Sequence, residues 1–167
     1  MVLDSFDQYV VDRLDRLLRF ATAMTCDPHL AQDVVQEVLL RAQRKWSHIG
    51  QLQARDSYVR RMIINEYLSW RRRRAARAVS HSTLDALGTP TADHATGYAE
   101  RDAMRGRIAT LPRKQRAALV LRYYEDRTDA EIADLLGCSA GTVRSHISRA
   151  LSTLRAAHQH HVSEAYS

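Results

Sequence analysis

The sequence predicts an all-α protein made of two small helical domains joined by a flexible linker. Apolar residues recur at spacings of three and four along most of the chain, and no segment shows the alternation of a half-buried strand. A stretch of small and turn-forming residues interrupts this pattern once. These observations predict a first domain at 1–75, a linker at 76–97, a second domain at 98–160 and a tail at 161–167.

The first domain begins with two capped helices. Ser5 and Gln8 match the ends of a capping box, in which each side chain bonds to the backbone of the other residue. Asp27 is a cap residue, and Pro28 follows it at the first helical position, where proline is tolerated. Each helix carries an apolar stripe, with Phe6, Tyr9, Val10, Leu14, Leu17, Leu18 and Ala21 in the first and Ala31, Val34, Val35, Val38, Leu39, Ala42 and Trp46 in the second.

A third helix completes the predicted domain. A polar break at about 47–56, which contains Gly50, separates it from the second helix. The segment 76–97 after it contains two glycines and a proline and has no long apolar stripe, so we interpret it as a linker. A packed loop inside one domain is the alternative. The residues that the third helix is expected to turn inward are Val59, Met62, Ile63, Tyr67 and Trp70.

The second domain contains the signals of a helix-turn-helix. After one short helix, Pro112 opens another. Thr128 and Glu131 form a second capping box, and Gly137 suits the left-handed position that ends a helix. Ser139 can then cap the final helix, so a short helix, a tight turn and a longer helix follow one another.

The final helix has one apolar side and one side of short or basic residues. No acidic residue occurs from 139 to 155. Short side chains let a helix approach the bases of a major groove only ~12 Å wide, where Arg, Ser and Thr can bond to bases or phosphates. The alternative is the plain polar surface of a helical bundle. The predicted DNA-reading residues are Thr142, Arg144, Ser145, Ser148 and Arg149.

Positive charge is concentrated near the end of the third helix. The whole chain has a net charge of +6 and a pI of about 9.7, which favours an anionic partner. Seven Arg and one Glu lie at 60–77, including Arg71, Arg72, Arg73 and Arg74 in succession. We expect these four to contact phosphates. A solvated helix end is the alternative, because cations are favourable there in any case.

The second helix has a mixed face opposite its apolar stripe. Asp33, Gln36, Glu37 and Leu40 share that face. An acidic and amide surface with an exposed Leu could dock a basic protein surface. From these residues alone, an ordinary solvated helix face is the simpler interpretation.

Other classes of function lack their signatures. No apolar run approaches the ~18 residues of a membrane span and no secretory signal is visible, so we expect a cytoplasmic protein. Cys26 and Cys138 have no metal-ligand spacing. No phosphate-binding loop or catalytic constellation is present, so neither an enzyme nor a cofactor nor a metal is expected. The cluster of His158, His160 and His161 is interpreted as a polar tail, and any role for it stays open.

Three segments resemble, in order, the regions of bacterial RNA polymerase sigma factors. "AQDVVQEVLLRAQRKW" resembles region 2.2, and "SYVRRMIINEYLSWRRRR" resembles regions 2.3–2.4. "LPRKQRAALVLRYYEDRTDAEIADLLGCSAGTVRSHISRALSTLR" resembles region 4. The chain is therefore similar to the group IV, extracytoplasmic-function (ECF) members of the sigma-70 superfamily, near their SigE-like actinobacterial branch.

This resemblance implies a protein that binds core RNA polymerase and directs initiation at the −35 and −10 elements of a promoter. It implies that the face of the second helix with Asp33, Gln36, Glu37 and Leu40 docks the clamp helices of the largest polymerase subunit. It also implies that region 4 binds the −35 element and the polymerase flap region. Arg61, Asn65 and the loop at about 49–55 would meet the −10 element, where that loop captures a flipped base.

Two points stay open after this resemblance. An inhibitory anti-sigma factor is a candidate further partner, because many family members have one. The alternative function is a stand-alone helix-turn-helix DNA-binding regulator. Such a regulator has no need of the helix that resembles region 2.2.

Overall fold

The computed structural model describes the backbone of residues 5–78 and 96–165, and the side chains within 5–70 and 99–159. This described part is helical, which confirms the all-α prediction. Most of the predicted linker lies outside the described residues. The helices are α1 (Phe6–Thr25), α2 (Pro28–Arg44), α3 (Trp46–Ile49), α4 (Arg55–Ala78), α5 (Thr96–Ala109), α6 (Arg113–Tyr123), α7 (Asp129–Leu136) and α8 (Ala140–Ala165).

The predicted helix starts in the first half are present, with one difference. The Ser5 hydroxyl accepts a hydrogen bond from the Gln8 backbone at 3.1 Å, but the Gln8 side chain donates to Asp12 rather than back to the cap. Asp27 accepts from the backbone of His29 at 2.9 Å and also from the next residue. The caps therefore set the starts of α1 and α2 as local chemistry predicts.

The polar break after α2 is more ordered than its composition suggests. The expectation that Trp46 continues the second helix is wrong, because α2 ends at Arg44 and Trp46 begins the single-turn helix α3. The Trp46 ring packs edge-on against Phe6, with 5.3 Å between ring centroids, and also contacts Tyr9. Ile49 is fully buried at the end of α3. Aromatic packing therefore draws this segment back onto α1.

Helices α1, α2 and α4 pack against one another and form the core of the first half. All five expected inward residues of α4 enter that core or line it, namely Val59, Met62, Ile63, Tyr67 and Trp70. Glu66 was not expected inside, yet its side chain is 1% exposed and accepts a hydrogen bond from Arg41 at 2.6 Å. This ion pair joins α2 to α4 from within.

The helix-turn-helix signals of the second half are confirmed. The Thr128 hydroxyl accepts from the Glu131 backbone at 3.3 Å, and the Glu131 carboxylate accepts from the Thr128 backbone at 2.8 Å. Gly137 has a φ of 63° and ends α7. The Ser139 hydroxyl accepts from the Thr142 backbone at 3.1 Å and caps α8. These contacts fix the angle at which α8 leaves α7.

The two halves share one buried cluster, which extends from α1 and α4 to α6, α7 and the start of α8. Arg116 of α6 is 9% exposed and sits at the junction. It donates to the carbonyl of Thr25 at 3.0 Å and to that of Ala109 at 2.6 Å. Those carbonyls belong to the C-terminal ends of α1 and α5, where acceptors lack helical partners and a cation is favourable.

A second side chain reinforces this junction. Arg113 donates to the carbonyl of Tyr67 at 2.5 Å and lies over the Tyr67 ring, 5.1 Å from its centroid.

Within the described ranges, no helix is both long and apolar enough to cross a membrane.

Candidate functional site

The outward face of α8 matches the predicted DNA-reading surface. All five candidate residues are exposed, while Val143, Ile147 and Ala150 on the opposite side are buried against α6 and α7. The helix therefore presents its short and basic side chains to solvent from a rigid base, as a recognition helix must. The exposed candidates are Thr142, Arg144, Ser145, Ser148 and Arg149.

Two of these candidates also make contacts inside the domain. An Arg144 guanidinium nitrogen lies 3.6 Å from an Asp129 carboxylate oxygen, and the Arg144 side chain is 66% exposed. The Thr142 hydroxyl lies 2.9 Å from the Ser139 hydroxyl at the helix cap. An exposed ion pair of this length contributes little and is easily exchanged for a phosphate. Arg144 therefore points towards the turn, and its exposed guanidinium can still bind a phosphate.

The structure adds His146 and Lys114 to this surface, neither of which the sequence reasoning included. His146 is half-buried on α8, and burial lowers the pKa of its imidazole, with further lowering by the nearby charges of Lys114 and Arg149. His146 is therefore neutral at pH 7. Lys114, exposed at the start of α6, brings a further positive charge to the edge of the α8 surface.

The predicted docking face of α2 lies at the surface, but its four residues differ in how exposed their side chains are. Asp33 and Gln36 are exposed, and the apolar side chain of Leu40 is 48% exposed. Glu37 is half-buried, and its carboxylate accepts two hydrogen bonds from Arg41 at 2.9 and 3.1 Å. Because Arg41 also pairs with the buried glutamate of α4, Glu37 contributes to the fold as well as to the surface.

An apolar groove of about 370 Å³ runs along this face between α1 and α2. Leu40 belongs both to the groove and to the predicted face, and Gln36 lies at its rim. The sequence indicates this groove through the apolar stripes of α1 and α2, which are wider than the area that the core of the domain covers. Its apolar lining comprises Phe6, Val10, Leu14, Leu18, Val35, Leu39 and Leu40.

The predicted −10 residues lie on α4, where two of them can be placed. Arg61 and Asn65 are exposed, one turn apart on the same face. The side chains of Arg71, Arg72, Arg73 and Arg74 lie outside the described residues, although their backbone continues α4. In the loop at 49–55, Ile49 is buried. The residues of that loop that are exposed are Gln51, Gln53 and Ala54.

The α4 face is also in contact with the second half of the chain. Arg61 donates to the carbonyl of Asp134 in α7 at 2.8 Å. Arg60 forms an ion pair with Glu125, and both side chains are largely buried. The sequence could not show these contacts, because they join positions more than sixty residues apart.

The histidine cluster is only partly placed by the structure. His158 is exposed, and its Nδ1 lies 3.3 Å from an Arg107 guanidinium nitrogen. His160 and His161 have side chains outside the described residues. Among the residues whose side chains are described, no group of three or more His, Cys, Asp or Glu is arranged to hold a metal ion.

Both halves of the chain match family models. Residues 10–77 match the family described as sigma-70 region 2, and residues 101–154 match the family described as sigma-70 region 4. The first match contains α2 and most of α4, and the second contains the helix-turn-helix. The match to region 2 is what a stand-alone helix-turn-helix regulator would lack.

Curated relatives match along most of their own length. The RNA polymerase sigma-E factor of Streptomyces coelicolor is 38% identical over 150 residues, which are 90% of this chain and 84% of the relative. The ECF RNA polymerase sigma factor SigL of Mycobacterium tuberculosis is 37% identical over 148 residues, covering 83% of this chain and 80% of the relative.

Solved structures share the fold at lower identity. The sigma factor RpoE, in complex with the anti-sigma factor NepR from Bartonella quintana, superposes with a TM-score of 0.68 at 22% identity, covering 90% of this chain and 94% of that one. CnrH, in complex with the cytosolic domain of CnrY, gives a TM-score of 0.55 at 23% identity, covering 92% and 87%.

Proposed function

Because this chain belongs to the ECF group of the sigma-70 family and directs promoter-specific initiation by RNA polymerase, we propose that three of its surfaces divide that work. Sigma factors are not enzymes, so the contribution of each surface is binding. The observation that carries the proposal is the presence in one chain of an exposed α2 face with an apolar groove and an acid-free α8 face.

The first surface is α2, which docks the clamp helices of the largest polymerase subunit. Leu40 and the groove beside it supply apolar area, while Asp33 and Gln36 supply polar contacts around it. An apolar centre with a polar rim is the usual anatomy of a protein interface. Glu37 acts at the edge, since Arg41 already holds its carboxylate.

The second surface is α8, which reads the −35 element. Arg149 and Arg144 have the reach for guanine edges or phosphates, while Ser145, Ser148 and Thr142 keep the helix close to the groove. Val143 and Ile147 are buried behind them and hold α8 in a fixed position relative to the rest of region 4. Region 4 also engages the polymerase flap region.

The third surface is α4, which meets the −10 element. Arg61 and Asn65 share its exposed face, the loop at 49–55 lies before its start, and the run Arg71–Arg74 follows towards its end. Positive charge along one helix neutralises the phosphates of a strand that is being opened. We assign the capture of a flipped base to the exposed loop residues Gln51, Gln53 and Ala54.

Two further assignments complete the proposal. The chain acts in the cytoplasm, where core polymerase and promoter DNA are found. An anti-sigma factor is a candidate partner, because one structural neighbour, RpoE, was solved in complex with the anti-sigma factor NepR, and another, CnrH, was solved in complex with the cytosolic domain of CnrY.

The docking assignment is tested by binding and transcription with the same variants. Leu40→Asp and Asp33→Lys should each lower the affinity for core polymerase at least tenfold and abolish run-off transcription, because they place charge in or reverse charge beside the apolar groove. Val11→Asp, at a 78% exposed position on α1, is the matched control and should behave as wild type. Wild-type core affinity for both α2 variants would remove the assignment.

The rival function makes the opposite prediction. A stand-alone regulator binds its duplex tightly without polymerase, whereas the present proposal expects weak duplex binding by the free chain and specific initiation when core polymerase is added. Gel-shift and run-off measurements on one promoter fragment separate the two. Tight, sequence-specific duplex binding together with no polymerase association would favour the regulator.

A further inference from the structure

A groove of about 690 Å³ lies between α1, α5 and α6. This volume is within the ~300–1,000 Å³ that small-molecule sites usually have. The described residues that line the groove include none from α2, α4 or α8. The groove is therefore distinct from the surfaces to which the proposed function assigns the clamp helices and the promoter.

The walls of this groove are apolar on all three sides. The aliphatic residues that line it are Leu18, Ala23, Ile108, Leu119 and Val120. An alkyl chain in the groove would therefore contact carbon on α1, α5 and α6, and it would leave water in exchange.

Large apolar side chains are also exposed at this groove. Met104, Tyr123 and Tyr124 line it, and all three are exposed. The other large hydrophobic side chains that are exposed in the described ranges, Val11 and Leu40, line other parts of the surface. Single exposed hydrophobic residues are ordinary, but several that share one concave surface mark an interaction site.

The charged residues of the groove all have one sign. Arg19 lines it from α1, and Arg101 and Arg105 line it from α5, one helical turn apart. No acidic residue belongs to the lining that the structure describes. Arg105 has Asp102 at 3.6 Å as a partner, but both side chains are exposed and such a pair contributes little. The groove therefore offers cations to a ligand.

Two other grooves differ from this one in charge. The groove beside Leu40 has no charged residue among its described lining. The cleft between α4 and α7 has arginines, but the carboxylates of Glu125 and Glu131 line it as well. Of these three, the groove between α1, α5 and α6 is the one that combines apolar walls with arginines that no lining carboxylate balances.

We propose that this groove binds a soluble amphipathic anion, namely an alkyl chain of medium length that ends in a carboxylate. The chain lies against Leu18, Ile108 and Leu119, and the carboxylate accepts hydrogen bonds from Arg19 and Arg101. A guanidinium presents forked donors that match the two oxygens of a carboxylate. A site with walls from three helices fits a free chain better than it fits the flat surface of a bilayer. The site needs neither polymerase nor promoter, so it is independent of the proposed function.

The first test is isothermal titration calorimetry with the full chain and alkyl ligands below the concentrations at which they form micelles. Decanoate should bind saturably, with one molecule per chain. It should bind about tenfold more tightly than octanoate, because each methylene buried in the groove strengthens binding by up to about fourfold. Decyltrimethylammonium has the same alkyl chain with the opposite charge, so it should bind about tenfold more weakly than decanoate or not at all.

Charge reversal separates the groove from the rest of the basic surface. Arg19→Glu and Arg101→Glu should each weaken decanoate binding by about tenfold, because each removes a charged donor and adds a repelling carboxylate. Arg16→Glu makes the same change in net charge at an exposed position of α1 outside the lining, and it should keep the wild-type affinity.

Cys26 locates the ligand, because its half-buried side chain lines the groove. Burial raises the pKa of its thiol, so alkylation by iodoacetamide is followed at mildly alkaline pH. In a Cys138→Ser variant, saturating decanoate should slow the alkylation of Cys26 several-fold. In the reciprocal Cys26→Ser variant, decanoate should leave the alkylation rate of Cys138 unchanged, since Cys138 does not line this groove.

Three results would overturn the proposal. The first is an equal affinity of decanoate for Arg101→Glu and Arg16→Glu, and the second is no protection of Cys26 at saturating decanoate. The third is sedimentation with phosphatidylglycerol vesicles by a chain that does not bind free decanoate, which would assign the arginines to a membrane surface. The wild-type comparison of decanoate with decyltrimethylammonium decides the question even if a variant fails to fold. None of these results bears on promoter-specific transcription, which tests the proposed function separately.

Discussion

The outward face of α8 and the exposed face of α4 are both basic, yet they differ in what lies opposite them. Arg149 on α8 is exposed on a face from which acidic residues are missing. Arg60 and Arg61 on α4 face Glu125 and the Asp134 carbonyl. Residue type therefore shows which surfaces suit DNA, but packing decides which of them is open in the free chain.

The difference arises from the distribution of charge within one helix-turn-helix. The segment 125–134 carries five acidic residues, while 139–155 carries none. The two ends of the same motif thus have opposite signs, and each meets a partner of the other sign. In the structure the acidic end meets α4, and in the proposed function the basic end meets DNA.

The largest expected effect concerns the junction that holds the two regions together. Arg116→Ala leaves buried carbonyls of α1 and α5 without their charged donor, which should lower the free energy of unfolding by about 2–4 kcal/mol. Urea titration measures the loss. Arg105→Ala, which removes only an exposed pair with Asp102, is the control and should cost under ~0.5 kcal/mol. Equal costs for the two variants would contradict a structural junction at Arg116.

The next effect separates base reading from phosphate contact on α8. Arg149→Ala should cost about 1–3 kcal/mol in promoter binding by the holoenzyme and relax preference at one −35 position, if its guanidinium bonds a base edge. Binding to a set of −35 variants measures this. Arg155→Ala, nearer the far end of α8, is the comparison. A uniform loss across all variants for Arg149→Ala would make it a phosphate contact.

A smaller effect tests the cap that aims α7 at α4. Thr128→Ala removes the hydroxyl half of the capping box and should cost about 0.5–2 kcal/mol in stability. Thermal unfolding measures it. Thr153→Ala removes a hydroxyl that bonds within α8 to the carbonyl of Arg149 and serves as the control, with no loss expected. A loss for Thr153→Ala as large as that for Thr128→Ala would show that the cap has no special role.

The smallest effect is a pH dependence in region 4. Burial, Lys114 and Arg149 lower the pKa of His146 below its usual value of 6.5. The unfolded chain therefore binds more protons there than the folded chain, and stability falls as the pH drops through about 6.5. His146→Asn should reduce the loss of melting temperature between pH 7.5 and 5.5. An unchanged pH dependence in that variant would show that His146 does not contribute.

Elements whose signals are local were predictable from the sequence. The caps at Asp27 and Ser139, the capping box at Thr128 and Glu131 and the left-handed Gly137 each depend on residues within four positions. Apolar spacing likewise indicated which sides of α1, α2 and α8 are buried. Side chains that bond to their own helix or turn can be read without tertiary information.

Features that depend on distant partners were not predictable. Nothing near Arg116 or Glu66 distinguishes them from exposed charges, and their burial follows from helix ends and side chains far along the chain. The spacing of Trp46 fits the apolar stripe of the second helix, whereas its contacts with Phe6 and Tyr9 decide its position. The covering of Arg61 by α7 likewise required the packing of the two regions.

The distance between the two regions, in free and in polymerase-bound protein, tests the account most directly. Spin labels at the exposed positions Asp15 on α1 and Ser152 on α8, in a variant without Cys26 and Cys138, report that distance. We expect one narrow, short distribution for the free protein and a shift of tens of ångströms to longer distances with core polymerase. A distribution that is already long in the free protein, or that does not change on binding, would contradict it.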